Sequence, residues 1–332
     1  MTHGLVKAGI PVVAGIDLDP ACRFPFEANN SSRFILADVA DVTSNELLAC
    51  YPKVATKVLV GCAPCQPFSR YARRHGRQAD QKWGMLDKFA NLVEGVRPDV
   101  VSMENVPELE RDDIFHNFVD ALRSWEYEVT FSSVYCPDYG IPQHRTRLVL
   151  FASLAGEVVF IPPTHRPEKY RTVQDAIGKL RPLTVGEVDA KDPLHRACKL
   201  SELNLKRMKA SKPGGCWRDW PEYLVAECHR AESGKTYPSV YGRMEWQKPS
   251  PTITTQFFGY GNGRFGHPSQ DRAISLREGS ILQSFPKSYR FCRNADEVSF
   301  SVLGRMIGNA VPVRLGEVIG RSILKHLADT NG

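Results

Sequence analysis

Apolar and polar positions follow two periods along the first half of the chain. Short apolar runs rich in β-branched residues, "IPVVAGI" (Ile10–Ile16), "FILADV" (Phe34–Val39), "KVLVG" (Lys57–Gly61) and "PDVVSM" (Pro98–Met103), are spaced like the parallel strands of βαβ units. Between the last two, "LDKFANLVEGV" (Leu86–Val96) has the spacing of a helix. "TRLVLFAS" (Thr146–Ser153) predicts a further strand, approached through "DYGIPQHR", where Gly140 and Pro142 suit a reversal. From about residue 181 to 300 helical periodicity weakens and Pro, Gly and aromatics become frequent, which predicts a smaller, loop-rich domain. "RLGEVIGRSILKHLA" (Arg314–Ala328) is again strongly helical, and its apolar face needs a sheet to cover. The expected class is therefore α/β, with 1–180 and 301–332 forming one domain and 181–300 the other.

Composition adds limits. The 332 residues are 42% hydrophobic and 24% charged, enough to bury a sizeable core. A net charge of +6 is compatible with a polyanionic partner without requiring one. Nine cysteines without a secreted-scaffold spacing predict reduced thiols in a cytoplasmic compartment. No apolar run is long enough for a membrane span, and Met1-Thr2-His3-Gly4 begins no signal peptide, so no membrane partner is expected.

Chemistry-bearing residues recur at the predicted strand ends. In open α/β sheets ligands bind at the carboxyl ends of the strands. Asp17 and Asp19 follow the first run, Asp38 lies in the second, Cys65 falls just past the third, and Glu104 and Asn105 follow the fourth. Carboxylates there either accept hydrogen bonds from ribose hydroxyls or cap the next helix. A free cysteine is ordinarily a small core hydrophobe. Cys65, pinned between Pro64 and Gln66-Pro67 beyond the apolar Val58–Val60 run, is better read as an exposed, reactive thiol. Cys62-x-x-Cys65 lacks the second ligand pair a zinc site needs. If Thr146–Ser153 runs antiparallel, Arg145 and Arg147 lie at the same rim and point to one face. A thiol, a carboxyl and two guanidiniums suit covalent attack on a polar unsaturated ring.

These residues bring the chain close to a known family. "GCAPCQPFS" resembles the Pro-Cys-Gln motif of the cytosine-5 DNA methyltransferases, "MENV" their Glu-Asn-Val motif and "QHRTR" their Gln-x-Arg-x-Arg motif. "HPSQDRAISLREGSILQSFP" (His267–Pro286) is similar to the late motif supporting target recognition, and "IGNAVPVRLGEVIG" (Ile307–Gly320) to the closing Gly-Asn-Ala-Val-Pro motif. The resemblance implies a Rossmann-like S-adenosylmethionine-dependent methyltransferase sheet with a smaller target-recognition domain. It also implies a flipped cytosine attacked at carbon 6 by Cys65, with Glu104 at ring nitrogen N3 and the amino group, and Arg147 with Arg145 holding the carbonyl oxygen.

For the cofactor, S-adenosyl-L-methionine, the resemblance implies Asp17 at the ribose, Leu18 on the adenine face, Asp38 and Val39 beside the adenine amino group, Pro64 and Leu86 in the pocket wall and Asn309 near the methionine end. Leu18 replaces the aromatic found in some relatives, which is expected to cost stacking. Double-stranded DNA is the implied partner, contacted by Gln66, Ser69, Arg70, Arg73 and Arg74 around the basic loop after the nucleophile. Arg207, Lys209, Lys212, Trp217, Arg218, Trp220 and Tyr223 are available for groove contacts. A monomer in a bacterial cytoplasm, paired with a cognate restriction endonuclease encoded nearby, completes the implied picture.

One departure stands out. The family opens with a strand and a Phe-x-Gly-x-Gly turn, which this sequence lacks; Gly4 is expected to open the first helix directly. A βαβ unit without its first strand leaves a gap in the sheet, with unpaired backbone groups on two neighbours. The expectation is a start placed too late or a remnant allele. The competing functions are a catalytically impaired DNA-binding remnant and the related tRNA cytosine-5 methyltransferases, whose Cys-Phe-Thr is absent here. A cysteine hydrolase would need a histidine partner for Cys65, and none of the nine histidines lies in a recognisable motif.

Overall fold

The computed structural model describes residues 1–62, 80–232, 234–236 and 238–330. The chain divides into two compact units. One comprises Thr2–Tyr135, Thr146–Pro162 and the chain from Gly316 onward; the other comprises Cys136–Arg145 and Pro163–Leu315 together with Met1. Compactness thus draws its boundaries at other places than sequence texture, which put them near 180 and 300.

In the first unit, helix α1 (Thr2–Ala8) precedes strand β1 (Ala14–Asp17), α2 (Arg23–Asn30) and β2 (Arg33–Leu36). Then come α3 (Ser44–Leu48), β3 (Val58–Gly61), α4 (Asp80–Val96), β4 (Val100–Asn105), α5 (Asp113–Ser124), β5 (Glu128–Tyr135) and β6 (Thr146–Ser153). β1 pairs in parallel with β2, and a separate four-stranded sheet has the order β3-β4-β6-β5. Within it β3 and β4 are parallel, while β6 is antiparallel to both β4 and β5. Among the described residues no strand joins β1 to β3, the gap expected from the sequence. Val58–Val60 is therefore an edge among the described residues and only half-buried, whereas Val100, Val101, Ser102 and Met103 of β4 are fully buried.

α5 begins at Asp112, whose side chain accepts from the Ile114 amide, and buries Phe115, Phe118, Val119 and Leu122 along one stripe. With Leu86, Phe89 and Val93 of α4 they pack on Val101, Met103, Leu148 and Leu150. The last helix (Val313–Thr330) contributes its residues from Gly316 onward to this unit. His326 Nε2 lies 2.8 Å from Ser153 Oγ of β6, and Ser322 Oγ accepts from the Ile161 amide at 3.0 Å. The carboxyl terminus thus packs back as its amphipathic pattern requires. A Cβ on Gly320 would lie 2.7 Å from Ala8 Cβ, so glycine permits this close crossing with α1.

The second unit holds short helices in irregular chain: α6 (Val173–Ile177), α7 (Glu202–Ala210), α8 (Glu227–Arg230), α9 (Leu276–Leu282) and α10 (Phe300–Asn309), with the long terminal helix, α11, beginning at Val313. Its main core gathers Val173, Ile177, Ile253, Phe257, Leu282 and Ile307. Trp217, Trp220, Met208 and Tyr260 form a satellite core, so both tryptophans face inward. With little regular structure, side chains supply hydrogen bonds that a sheet would otherwise provide. Arg243 donates to the carbonyls of Met208, Ser211, His267 and Gln270 and pairs with Asp271.

Candidate active site

The carboxyl ends of β1 and β2 carry an acid and an exposed apolar side chain. Asp17 ends β1 opposite Leu36 in register, and Asp17 Oδ1 accepts from the Asp19 amide at 2.8 Å. Leu18, next along, is 65% exposed. Asp38 Oδ1 accepts from the Ala40 amide at 2.9 Å and caps a single helical turn over Val39–Asp41; Asp19 does the same for the turn at Pro20–Cys22. Val39 is half-buried against the cluster of Leu47, Leu92 and Val96. Capping and ligand binding are compatible here, because a carboxylate has lone pairs beyond the one its cap uses. An acid beside an exposed aliphatic side chain at a sheet's carboxyl rim suits an adenosine, with the carboxylate for the ribose hydroxyls and the apolar surface for the base. Leu86 instead sits inside the hydrophobic core with Phe89 and Val93.

Glu104 lies inside β4 rather than after it, because pairing with β6 continues to the register Glu104↔Val149 and Asn105↔Leu148. Its carboxylate is buried, and Arg147 Nε donates to its Oε1 at 2.9 Å. Arg147 also donates from Nη1 to the Thr146 carbonyl at 2.7 Å. The antiparallel course of β6, the condition on which the sequence reading of this rim rested, brings the guanidinium to the rim where β4 ends. Ser102, two residues before Glu104 and so on the same face, is buried, and among the described residues its Oγ has no hydrogen-bond partner. A carboxylate oriented by a charged donor in buried surroundings can exchange a hydrogen bond with a nitrogen heterocycle while its own position stays fixed.

Arg145 belongs to the other unit, where it is buried and Nη1 donates to the Ile253 carbonyl at 3.4 Å. Asn309 is the exposed last residue of α10 in that unit. Cys65, Pro64, Gln66, Ser69, Arg70, Arg73 and Arg74 lie outside the described residues. In the recognition region Lys209, Lys212, Arg218 and Tyr223 are exposed, while Arg207 lies over the Trp220 and Tyr241 rings and donates to the Leu224 carbonyl.

Sequence reasoning did not single out the buried cluster at the late motif. Arg272 makes two 2.7 Å hydrogen bonds to Glu278, whose carboxylate also accepts from the Ser275 amide, with His267 3.7 Å away. Burial raises the Glu278 carboxyl, but the Arg272 bonds and charge outweigh it and hold the group down at about 2. Burial, aided by Arg272 and Arg243 and opposed by Glu278, lowers His267 to about 4. Ser275-x-x-Glu278 was the available signal, since it spells a helix capping box and forms one.

The chain matches the family described as C-5 cytosine-specific DNA methylase over residues 1–325. It is 53% identical over 330 residues to the type II methylase M.HgiDII of Herpetosiphon aurantiacus, covering 98% of this chain and 92% of that one. To the type II methyltransferase M1.HphI of Haemophilus parahaemolyticus it is 29% identical, over 97% of this chain and 83% of the relative. Among solved structures it is similar to a proposed DNA modification methyltransferase encoded within an E. coli prophage, at TM-score 0.73 and 20% identity, covering 98% and 96% of the two chains. That likeness extends to the fold.

Proposed function

This chain belongs to the C-5 cytosine-specific DNA methylase family and is by that membership a DNA cytosine-5 methyltransferase; from this premise we propose how its residues work and on what. The substrate is a cytosine in a specific site of double-stranded DNA, flipped from the stack because its ring carbons are otherwise inaccessible. The biological setting is modification in a type II restriction–modification pair, as the names of its relatives suggest.

The Cys65 thiolate adds to carbon 6 of the flipped cytosine, and the displaced ring electrons make carbon 5 nucleophilic. Glu104 hydrogen-bonds N3 and the amino group and stabilises the protonated ring, while Arg147 holds the carbonyl oxygen. S-adenosyl-L-methionine, when bound, supplies an electrophilic methyl group. Loss of the carbon 5 proton to solvent then returns the electrons to the ring and expels Cys65. Asp17 holds the ribose, Leu18 the adenine face, Asp38 and Val39 the adenine amino edge, with Pro64 and Asn309 completing the cofactor set, while Leu86 supports the pocket only from the core behind it. Gln66, Ser69, Arg70, Arg73 and Arg74 contact the DNA.

The observation that carries this reading is the buried Arg147–Glu104 hydrogen bond at the rim of β4 and β6. A carboxylate anchored there has the fixed direction that recognition of a base edge requires. A second reading is a DNA-binding chain impaired in methyl transfer. Transfer of labelled methyl to unmethylated bacterial DNA, with Cys65→Ala in parallel, tests the first. Label that disappears in the variant supports it; a folded parent chain giving no label, yet retaining DNA, supports the second.

A further inference from the structure

Two buried glutamines tie together four segments that are far apart in sequence and all lie in the second unit. Gln143 Nε2 donates to Gln283 Oε1 at 3.0 Å and to the Leu282 carbonyl at 3.2 Å, while its Oε1 accepts from the Ile253 amide at 3.0 Å. Gln283 Nε2 in turn faces the carbonyls of Ile307, Ala310 and Gly308 at 2.8, 3.2 and 3.4 Å. These are the carbonyls at the carboxyl end of α10, where a helix runs out of its own donors. The next helix is held from the same place. The Gln283 carbonyl accepts from the Val313 amide at 3.2 Å, and Ser284 Oγ accepts from the Arg314 amide at 3.0 Å.

Gln283 and Ser284 therefore grip the α10–α11 junction at both ends, and Asn309 is the exposed polar residue between the grips. The other side of α10 has no freedom to compensate. Gly308 meets the Thr254 and Thr255 backbone so closely that a Cβ there would lie 2.4 Å from Thr254 C and O. Ser284 adopts φ 61°, a left-handed conformation that serine seldom takes without support from its surroundings.

We infer that Gln283 is a positioning residue for Asn309: its side-chain amide fixes the end of α10 that carries Asn309. The inference rests on the proposed contact of Asn309 with the methionine end of S-adenosyl-L-methionine. A glutamine chosen only to fill the core could be replaced by methionine, of similar volume, without consequence for the ligand. One that sets the direction of Asn309 could not.

The test is a double-mutant cycle on the full chain, reading labelled S-adenosyl-L-methionine by equilibrium dialysis and thermal unfolding alongside. Asn309→Ala and Gln283→Met are each expected to weaken binding about tenfold, the size of one lost hydrogen bond to a charged group. The double variant is expected to bind no more than about twofold worse than Asn309→Ala, because Gln283 acts through that residue. Multiplying losses, or full binding by Gln283→Met, overturns the positioning role while leaving Asn309 as a ligand. Full binding by Asn309→Ala overturns the cofactor contact itself, and the inference with it. If Gln283→Met does not fold, Gln283→Asn takes its place in the cycle with the same expected non-additivity, and failure of both to fold makes Gln283 a folding residue and overturns the proposal.

Discussion

Arg147 reaches across from β6 to donate to Glu104 of β4 at 2.9 Å, and both side chains are largely withdrawn from solvent. Replacing Glu104 by glutamine keeps the shape but removes the carboxylate that stabilises a protonated ring. Methyl transfer should fall by about a hundredfold or more, the usual worth of a positioned acid–base group. Replacing Arg147 by methionine leaves the Glu104 charge buried without its partner and should also destabilise the fold, by roughly 3 kcal/mol. Single-turnover transfer of labelled methyl and urea unfolding of both variants separate the two effects. Equal stability losses from E104Q and R147M would contradict the proposed division of roles.

The Arg272–Glu278 pair is almost wholly removed from water. Glu278→Ala strands a guanidinium in the core and should cost about 3–5 kcal/mol, whereas a paired replacement, Arg272→Met with Glu278→Leu, should recover much of that loss. Thermal unfolding of the three chains checks the order.

Acid should weaken the fold before carboxylates begin to titrate. An unfolded His267 takes up its proton near 6.5, but in the folded chain burial delays this to about 4. The stability held by the neutral, buried ring is therefore complete above pH 6.5 and is lost as pH falls from 6.5 to 4, at up to about 1.4 kcal/mol per pH unit. Glu278 works lower: with its carboxyl moved from 4.5 to about 2, its contribution is complete above pH 4.5 and is lost toward pH 2. Urea midpoints against pH should begin to drop near 6.5 in the parent chain. In His267→Phe that upper limb should shrink to the smaller part that His144 and His165, also lowered by burial, contribute, while the lower one stays.

Asp17 tests the ribose assignment. Asp17→Ala should weaken labelled S-adenosyl-L-methionine binding by about tenfold to a hundredfold, the range of one or two charge-assisted hydrogen bonds. Because the side chain is exposed at the end of β1, unfolding should shift by no more than about 0.5 kcal/mol. A variant that binds the cofactor normally would leave Asp17 as a turn residue whose carboxylate accepts from the Asp19 amide.

Local sequence alone determined much of this molecule. The β-branched runs located β1 to β4, and Thr146–Ser153 coincides with β6 from end to end. Period and residue type need only nearest neighbours to act. Boundaries were less legible. Pro11 and the positive φ of Gly9 delay β1 to Ala14, and cross-strand pairing carries β4 on to Asn105, so Glu104 lies within a strand. β5 went unread because Glu128–Tyr135, with exposed Ser132 and Ser133, is defined mainly by its pairing to β6.

Tertiary structure decided the rest. Residue order placed Asp17 at the end of β1 and Arg147 near the start of β6, since the direction of each parallel strand follows from βαβ connection. Which groups meet depends on hydrogen-bond register and on chain returning from far away. Register brings Arg147 to Glu104, while Arg145, two residues earlier, is committed to the Ile253 carbonyl. The Gln143–Gln283 amide pair spans 140 residues and has no periodic signature. A buried polar side chain takes whatever partner the fold leaves to it, and that partner is known only once the chain has closed.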